Sequence, residues 1–162
     1  MPRRRKRKDH VPGERIHMYR EEPTEVTLTM QSLEVAYDEQ GAQENREERV
    51  CTATCFLKGE KIYLQYEEGE DGAVTKTMLV ITEDELIVRR KGAMESRMQF
   101  RWGLTYSFLY HTPYGDVPLT IATKELTSER TEKAIKIHLA YDILSQNEVV
   151  SFHQMQLEAR AN

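Results

Sequence analysis

The chain has 162 residues, of which 39% are hydrophobic and 31% are charged, and its net charge is −4. This composition is typical of one soluble globular domain and excludes a disordered chain. No apolar run approaches the roughly 18–20 residues of a spanning helix. Two cysteines, Cys51 and Cys55, are too few for a disulfide framework, which favours a cytoplasmic location.

The N-terminus is basic, whereas the rest of the chain is acidic. Six of the 23 basic residues follow one another from Arg3 to Lys8, and no periodic apolar pattern occurs before residue 23. We therefore predict a disordered basic tail over residues 1–22 and one folded domain over residues 23–162. An alternative is that translation starts at Met18, which would leave the tail out of the protein.

Strand-like alternation begins at Thr24 and continues in short runs. In the first run the apolar phase shifts between Met30 and Leu33, which predicts a β-bulge. The polar stretch 38–48 is either a loop or an exposed strand end. Further strands are predicted at about 49–58, 61–67, 74–82 and 85–91, separated by Gly-containing turns.

The second half of the chain continues the pattern. The expected inward-facing residues are Met94, Met98, Phe100, Tyr106, Phe108, Tyr110, Leu119, Ile121, Ile135, Ile137, Leu139 and Tyr141, with Thr112 and Thr123 as polar members. In the strand around Ile137, Lys136 and Asp142 are predicted to be exposed. A second phase change, between Phe152 and Met155, predicts another bulge. About eight to ten short strands without a helix of three turns predict an all-β, closed, antiparallel up-and-down barrel.

Motifs that carry chemistry are absent from the sequence. Cys51 and Cys55 would be about 13 Å apart on a strand, which is too far to chelate one ion or to form a disulfide. None of the histidines has a ligand spacing, and there is no phosphate loop, nucleophile elbow or zinc signature. We predict no catalytic residue, no metal site and no cofactor.

The strands after Gly92 carry a resemblance. The residues Tyr66-Glu67, Gly92, Met94, Phe100, Gly103, Tyr110-His111-Thr112-Pro113-Tyr114-Gly115 and Leu119-Thr120-Ile121-Ala122-Thr123 resemble the YwiB-like family over residues 24–159. These are small bacterial proteins grouped as a domain of unknown function. The resemblance implies a lipocalin-like (calycin) barrel and no established activity, so no catalytic residue is carried over.

Two functions from different classes follow. The first is a non-enzymatic binding module that takes a small, largely apolar ligand or a protein partner. Its candidate site is the barrel end around Tyr110, His111, Thr112 and Tyr114, with Thr123; the structural alternative is that these hydroxyls satisfy a turn.

The second function is a nucleic-acid-associated protein. Its candidate site is the basic tail, Arg3, Arg4, Arg5, Lys6, Arg7 and Lys8, because a run of positive charge attracts phosphates. The acidic remainder of the chain argues against such binding unless its basic residues cluster on one face.

Overall fold

In the computed structural model, residues 18–70, 72–93 and 95–162 are described, and they form ten β-strands. The strands are β1 (Thr24–Asp38), β2 (Gly41–Lys58), β3 (Lys61–Glu70), β4 (Ala73–Ile81), β5 (Glu85–Gly92), β6 (Ser96–Arg101), β7 (Thr105–Thr112), β8 (Gly115–Arg130), β9 (Ala134–Ser145) and β10 (Glu148–Ala161). Within these ranges no helix is long and apolar enough to cross a membrane. Of the two alternatives for residues 38–48, the exposed strand end is correct, because β2 starts at Gly41.

The ten strands form one sheet in the order β6-β5-β4-β3-β2-β1-β10-β9-β8-β7, and every paired neighbour is antiparallel. Each strand therefore lies beside its neighbours in sequence, and the pairing of β1 with β10 joins the two halves. The predicted all-β, up-and-down antiparallel barrel is confirmed.

The barrel closes where its two outer strands, β6 and β7, meet β8. The Thr123 backbone forms two hydrogen bonds there: it accepts from Gly103 N at 3.2 Å and donates to Leu104 O at 3.1 Å. Its hydroxyl accepts a third from Arg101 N at 3.3 Å. We call these three bonds the seam joint. They close the sheet at one level, and no ladder of hydrogen bonds joins β6 to β7 in the described part of the chain.

The N-terminal segment before β1 seals one end of the barrel. Met18 is completely buried in the core, the Tyr19 hydroxyl donates to Ala134 O at 2.7 Å, and Leu57 N donates to Arg20 O at 2.6 Å. Residues 18–20 therefore do not belong to a disordered tail, because Met18 and Tyr19 pack on the core and the Arg20 carbonyl binds β2. Residues 1–17 lie outside the described residues.

The phase change in β1 is not a bulge. β1 keeps a continuous register with β2 and β10 past Met30, so Ser32 and Glu34 lie on the same inward face as Leu28. The inward face becomes polar because the barrel opens to solvent at that level. The same reason explains the second phase change, where His153 faces inward. The register shifts actually lie at Val149/Ser151 and Thr123/Glu125.

β9 shows both a correct and an incorrect exposure prediction. Ile135, Ile137 and Leu139 are buried and Lys136 is exposed, as predicted. Asp142, predicted to be exposed, is only 9% exposed. The bulge in β8 brings the Lys124 ammonium within 3.2 Å of the Asp142 carboxylate, and this ion pair compensates the partly desolvated charge.

The buried face of β9 gives the first prediction. Ile137→Ala should lower the free energy of unfolding by about 2–5 kcal/mol, because Ile137 is 1% exposed and its loss leaves a cavity. Lys136→Ala, its exposed neighbour, is the control and should change stability by less than about 0.5 kcal/mol. Urea unfolding measures both; similar losses for the two variants would contradict the face assignment.

Candidate functional site

The predicted site around Tyr110 is the projecting tip of the β7–β8 hairpin. Tyr114 is 99% exposed and Tyr110 is 47% exposed, so neither ring encloses a ligand. His111 Nδ1 lies 2.6 Å from the Asp116 carboxylate, also in solvent. The tip therefore offers no enclosed pocket.

Thr112 has a structural partner for its hydroxyl. Thr112 Oγ1 donates to Gly115 O at 2.6 Å and accepts from Tyr114 N at 3.1 Å, so it closes the turn. These bonds fit the alternative interpretation, in which the hydroxyls of this segment stabilise a turn and do not bind a ligand.

Thr123 does not belong with the tip. It lies six residues beyond Val117, the partner of Tyr110, which is about 20 Å along β8. Thr123 is buried and holds the seam joint. The structure therefore keeps Tyr110, His111, Thr112 and Tyr114 together at the tip and separates Thr123 from them.

The turn bonds of Thr112 give a second prediction. Thr112→Val keeps the shape but removes the hydroxyl, so it should cost about 0.5–1.5 kcal/mol in unfolding free energy. Thr112→Ser keeps the hydroxyl and should recover most of that loss. Thermal or urea unfolding measures both; equal stability of the valine variant and the wild type would mean that the turn does not depend on these bonds.

The other residues considered from the sequence are the basic tail, the two cysteines and possible metal ligands. Arg3, Arg4, Arg5, Lys6, Arg7 and Lys8 lie outside the described residues. Cys51 and Cys55 are free, and burial raises the pKa of both thiols, that of Cys55 to about 11, which disfavours the reactive thiolate. Within the described ranges, no group of three or more His, Cys, Asp or Glu side chains could hold a metal ion.

A more enclosed opening lies inside the barrel, at the end opposite Met18. It is a cleft of about 320 Å³, which we call the polar mouth. Its lining includes Ser32, Glu34, Arg49, Tyr66, Glu68, Arg90, Tyr141 and His153. These residues come from β1, β2, β3, β5, β9 and β10, and the strand registers place them on the inward face.

An aromatic stack borders the polar mouth. The His153 ring is parallel to the Tyr141 ring at 4.7 Å, and Tyr141 in turn packs on Phe100 at 4.7 Å. Burial raises the pKa of Tyr141 to about 12 and raises that of Tyr66. Both phenols therefore stay neutral at physiological pH; the Tyr66 hydroxyl donates to Met30 Sδ at 3.6 Å, and the Tyr141 hydroxyl can donate a hydrogen bond to a ligand.

Ser151, His153 and Glu34 do not form a catalytic triad. Ser151 Oγ lies 2.8 Å from His153 Nε2, and the Glu34 carboxylate lies 3.8 Å from the same nitrogen. A triad needs the serine and the acid on opposite ring nitrogens, so that the acid orients a base facing the nucleophile. This arrangement lacks that relay.

The barrel wall is split beside the polar mouth. The β2–β3 ladder ends at the Thr54–Gln65 pair, although both strands continue beyond it. An ion pair between Arg49 and Glu68 spans the gap, and a slit of about 660 Å³ lies beside Tyr66. Tyr66 lines both the slit and the mouth.

Arg90 is a charged residue of the polar mouth that lacks a partner among the described residues. It faces inward from β5 opposite Thr77 and is half-buried. Among the described residues it has no ion-pair or hydrogen-bond partner, unlike Arg49. Arg90 lines the same cleft as Tyr66 and Tyr141, and its positive charge lowers the pKa of both phenols, against the larger effect of burial.

The sequence contained one signal for this site. Ser32, Glu34 and His153 are polar residues at inward positions, where strand alternation expects apolar ones. Interpreting that irregularity as a bulge moved these residues to the outer face.

The titration of His153 gives a third prediction. Burial lowers the pKa of His153 below its ordinary value of 6.5, although Glu34 and Asp142 oppose this. The unfolded chain then binds the proton more readily than the folded one, so the free energy of unfolding falls as the pH drops below about 6.5. In the His153→Gln variant, the free energy of unfolding should fall less as the pH drops through this range.

Urea unfolding of the wild type and His153→Gln at a series of pH values measures the effect. The difference in unfolding free energy between the two proteins should stay constant above pH 7 or so and change in favour of the variant below about pH 6.5. Parallel profiles across the whole range would contradict the assignment.

The fold and the mouth define a class of protein. The chain is a nearly closed, calycin-like antiparallel β-barrel with one end sealed by Met18 and the other open and polar. It belongs to the family described as "Domain of unknown function (DUF1934)", which matches residues 28–157. The resemblance inferred from the sequence is confirmed.

Two comparisons give the relationship in detail. The chain is 31% identical over 134 residues to the "Uncharacterized beta-barrel protein YwiB" of Bacillus subtilis (strain 168), covering 83% of this chain and 92% of that protein. The crystal structure of the ywiB protein from Bacillus subtilis superposes with a TM-score of 0.73 at 26% identity. That match covers 86% of this chain and 93% of the other.

Proposed function

We propose that the protein is a non-enzymatic binding module that holds a small molecule with an anionic group in the polar mouth. The observation that carries the proposal is Arg90, a half-buried arginine that faces the mouth with no ion-pair partner in the described part of the chain. Charged side chains that leave water are normally paired, because desolvation is costly. A bound carboxylate or phosphate would supply that partner.

The surroundings of Arg90 suit such a ligand. The planar guanidinium can form two parallel hydrogen bonds to a carboxylate or phosphate. The neutral Tyr66 and Tyr141 phenols line the same cleft as Arg90 and add apolar ring surface, and the Tyr141 hydroxyl is a further donor. The ligand we propose is thus small, anionic and partly apolar, rather than largely apolar.

The arrangement around His153 supports binding over catalysis. Ser151 and Glu34 both approach the same nitrogen of His153, so the glutamate cannot orient the histidine as a base that activates the serine. We also propose a cytoplasmic location, which the two free cysteines support.

A thermal-shift titration tests the proposal. Small carboxylates and phosphate monoesters are compared with their neutral amide or alcohol analogues. At about 100 times its dissociation constant an anion adds about 2.7 kcal/mol to stability, or roughly 5–10 °C in Tm. We expect at least one anion to do so while its neutral analogue does not.

The control variants separate Arg90 from general charge. Arg90→Gln should abolish the shift, whereas Arg97→Gln, which removes the same charge outside the mouth, should preserve it. A set of anions that leaves the Tm unchanged, or neutral analogues that stabilise equally well, would refute the proposal.

A further inference from the structure

Beyond the seam joint, β6 and β7 diverge and leave a second opening in the barrel wall. This opening, the seam groove, has a volume of about 810 Å³. Its lining includes Arg89, Arg90, Lys91, Arg97, Tyr106 and Phe108. Its floor is a free strand edge, because β7 pairs with β8 on one side and has no ladder on the other within the described chain.

One wall of the seam groove is aromatic. Tyr106 and Phe108 alternate along β7, so both rings lie on one face. Their centroids are 6.4 Å apart with an interplanar angle of 16°, and both are half-buried. Tyr110 continues the row and is 47% exposed. A row of nearly parallel rings at alternate positions is a surface for stacking flat groups.

The facing wall is basic. Arg89, Arg90, Lys91 and Arg97 line the groove, and among its described lining residues Glu95 is the one that is acidic. The Arg97 guanidinium lies 5.9 Å from the Tyr106 ring centroid and donates to its hydroxyl at 3.2 Å. In a chain with a net charge of −4, these basic residues are gathered around one opening, which is the local concentration of positive charge that phosphate binding requires.

We propose that the seam groove binds a short stretch of single-stranded nucleic acid. The bases stack on Tyr106 and Phe108, and the phosphates contact Arg89, Lys91 and Arg97. This combination of stacking rings with a positively charged groove is the general means of binding single strands without sequence readout. The proposal goes beyond the small-ligand function, because it concerns a different opening and does not depend on the polar mouth.

The aromatic wall distinguishes this ligand from other polyanions. An acidic peptide would use the cations but has no flat groups at each position to occupy the rings. A duplex would offer its phosphates, but its bases are already stacked inside the helix and cannot reach Tyr106. Of these three polyanions, the unpaired strand is the one that satisfies both walls at once.

Fluorescence anisotropy with the full chain tests the proposal. The probe is a labelled, unstructured RNA or DNA of about eight nucleotides, at salt concentrations between about 50 and 200 mM. Tyr106→Ala and Phe108→Ala should each weaken binding by about fivefold or more. Arg97→Gln should weaken it and reduce the salt slope by about 0.7, the value for one phosphate contact on a single strand.

Matched variants keep the result interpretable. Tyr106→Phe retains the ring and should bind within about twofold of the wild type, which separates stacking from loss of folding. Lys136→Gln removes one charge from the exposed face of β9, away from the groove, and should leave the salt slope unchanged. Replacing Arg3 to Lys8 together by serine tests the basic tail separately.

Several results would overturn the proposal. The first is that Tyr106→Ala and Phe108→Ala both bind the strand as tightly as the wild type does. The second is that the wild type binds a duplex of the same sequence as tightly as the single strand. The third is that an acidic peptide competes as well as the unlabelled strand. Loss of binding only in the tail variant would assign nucleic-acid binding to the tail. Competition by a free mononucleotide as strong as by the oligonucleotide would make the ligand a nucleotide and not a strand. Because Arg90 lines both openings, Arg97→Gln distinguishes the two proposals: it should weaken strand binding in the groove and preserve the thermal shift caused by a small anion in the mouth.

Discussion

The closure of the sheet at one level is the constraint on which the rest of this structure depends. Three hydrogen bonds to Thr123 connect the turn between β6 and β7 to β8, and no further ladder joins the two outer strands in the described chain. The end of the barrel near this joint packs tightly around Met18 and Phe100. Beyond it the strands separate, and inward-facing side chains such as Ser32 and Glu34 are exposed, so this level divides the packed half of the interior from the open half.

This division explains why polar side chains face inward at one end. Glu34, Tyr141 and His153 occupy positions that a fully packed barrel would fill with apolar residues. They are tolerated because the mouth is open, and because stacking and hydrogen bonding partly offset their desolvation. Asp142 follows the same principle on the outer face, where Lys124 compensates it.

The polar mouth and the seam groove differ in their chemistry, although Arg90 lines both. The mouth is small and pairs Arg49 with Glu68, so Arg90 is its available cation. The groove is larger and more open, and it combines several cations with a row of rings. A small anion suits the first and an extended strand suits the second. The position of Arg90 also makes the two sites physically adjacent, so occupation of one would alter the electrostatics of the other.

The amino-acid sequence by itself determined the strands and the barrel class, because alternation with period two and Gly-containing turns are local properties. It also identified the buried face of β9, from Ile135 to Leu139, correctly. The tertiary structure decided which residues meet. The Tyr110–Tyr114 tip lies in solvent and Thr123 closes the seam, whereas Arg90, Tyr141 and His153, from three separate strands, converge. A strand pattern shows which side a residue faces, but it does not show whether that side is dry. This depends on where the sheet closes, a contact between residues 101–104 and Thr123 that no local pattern encodes.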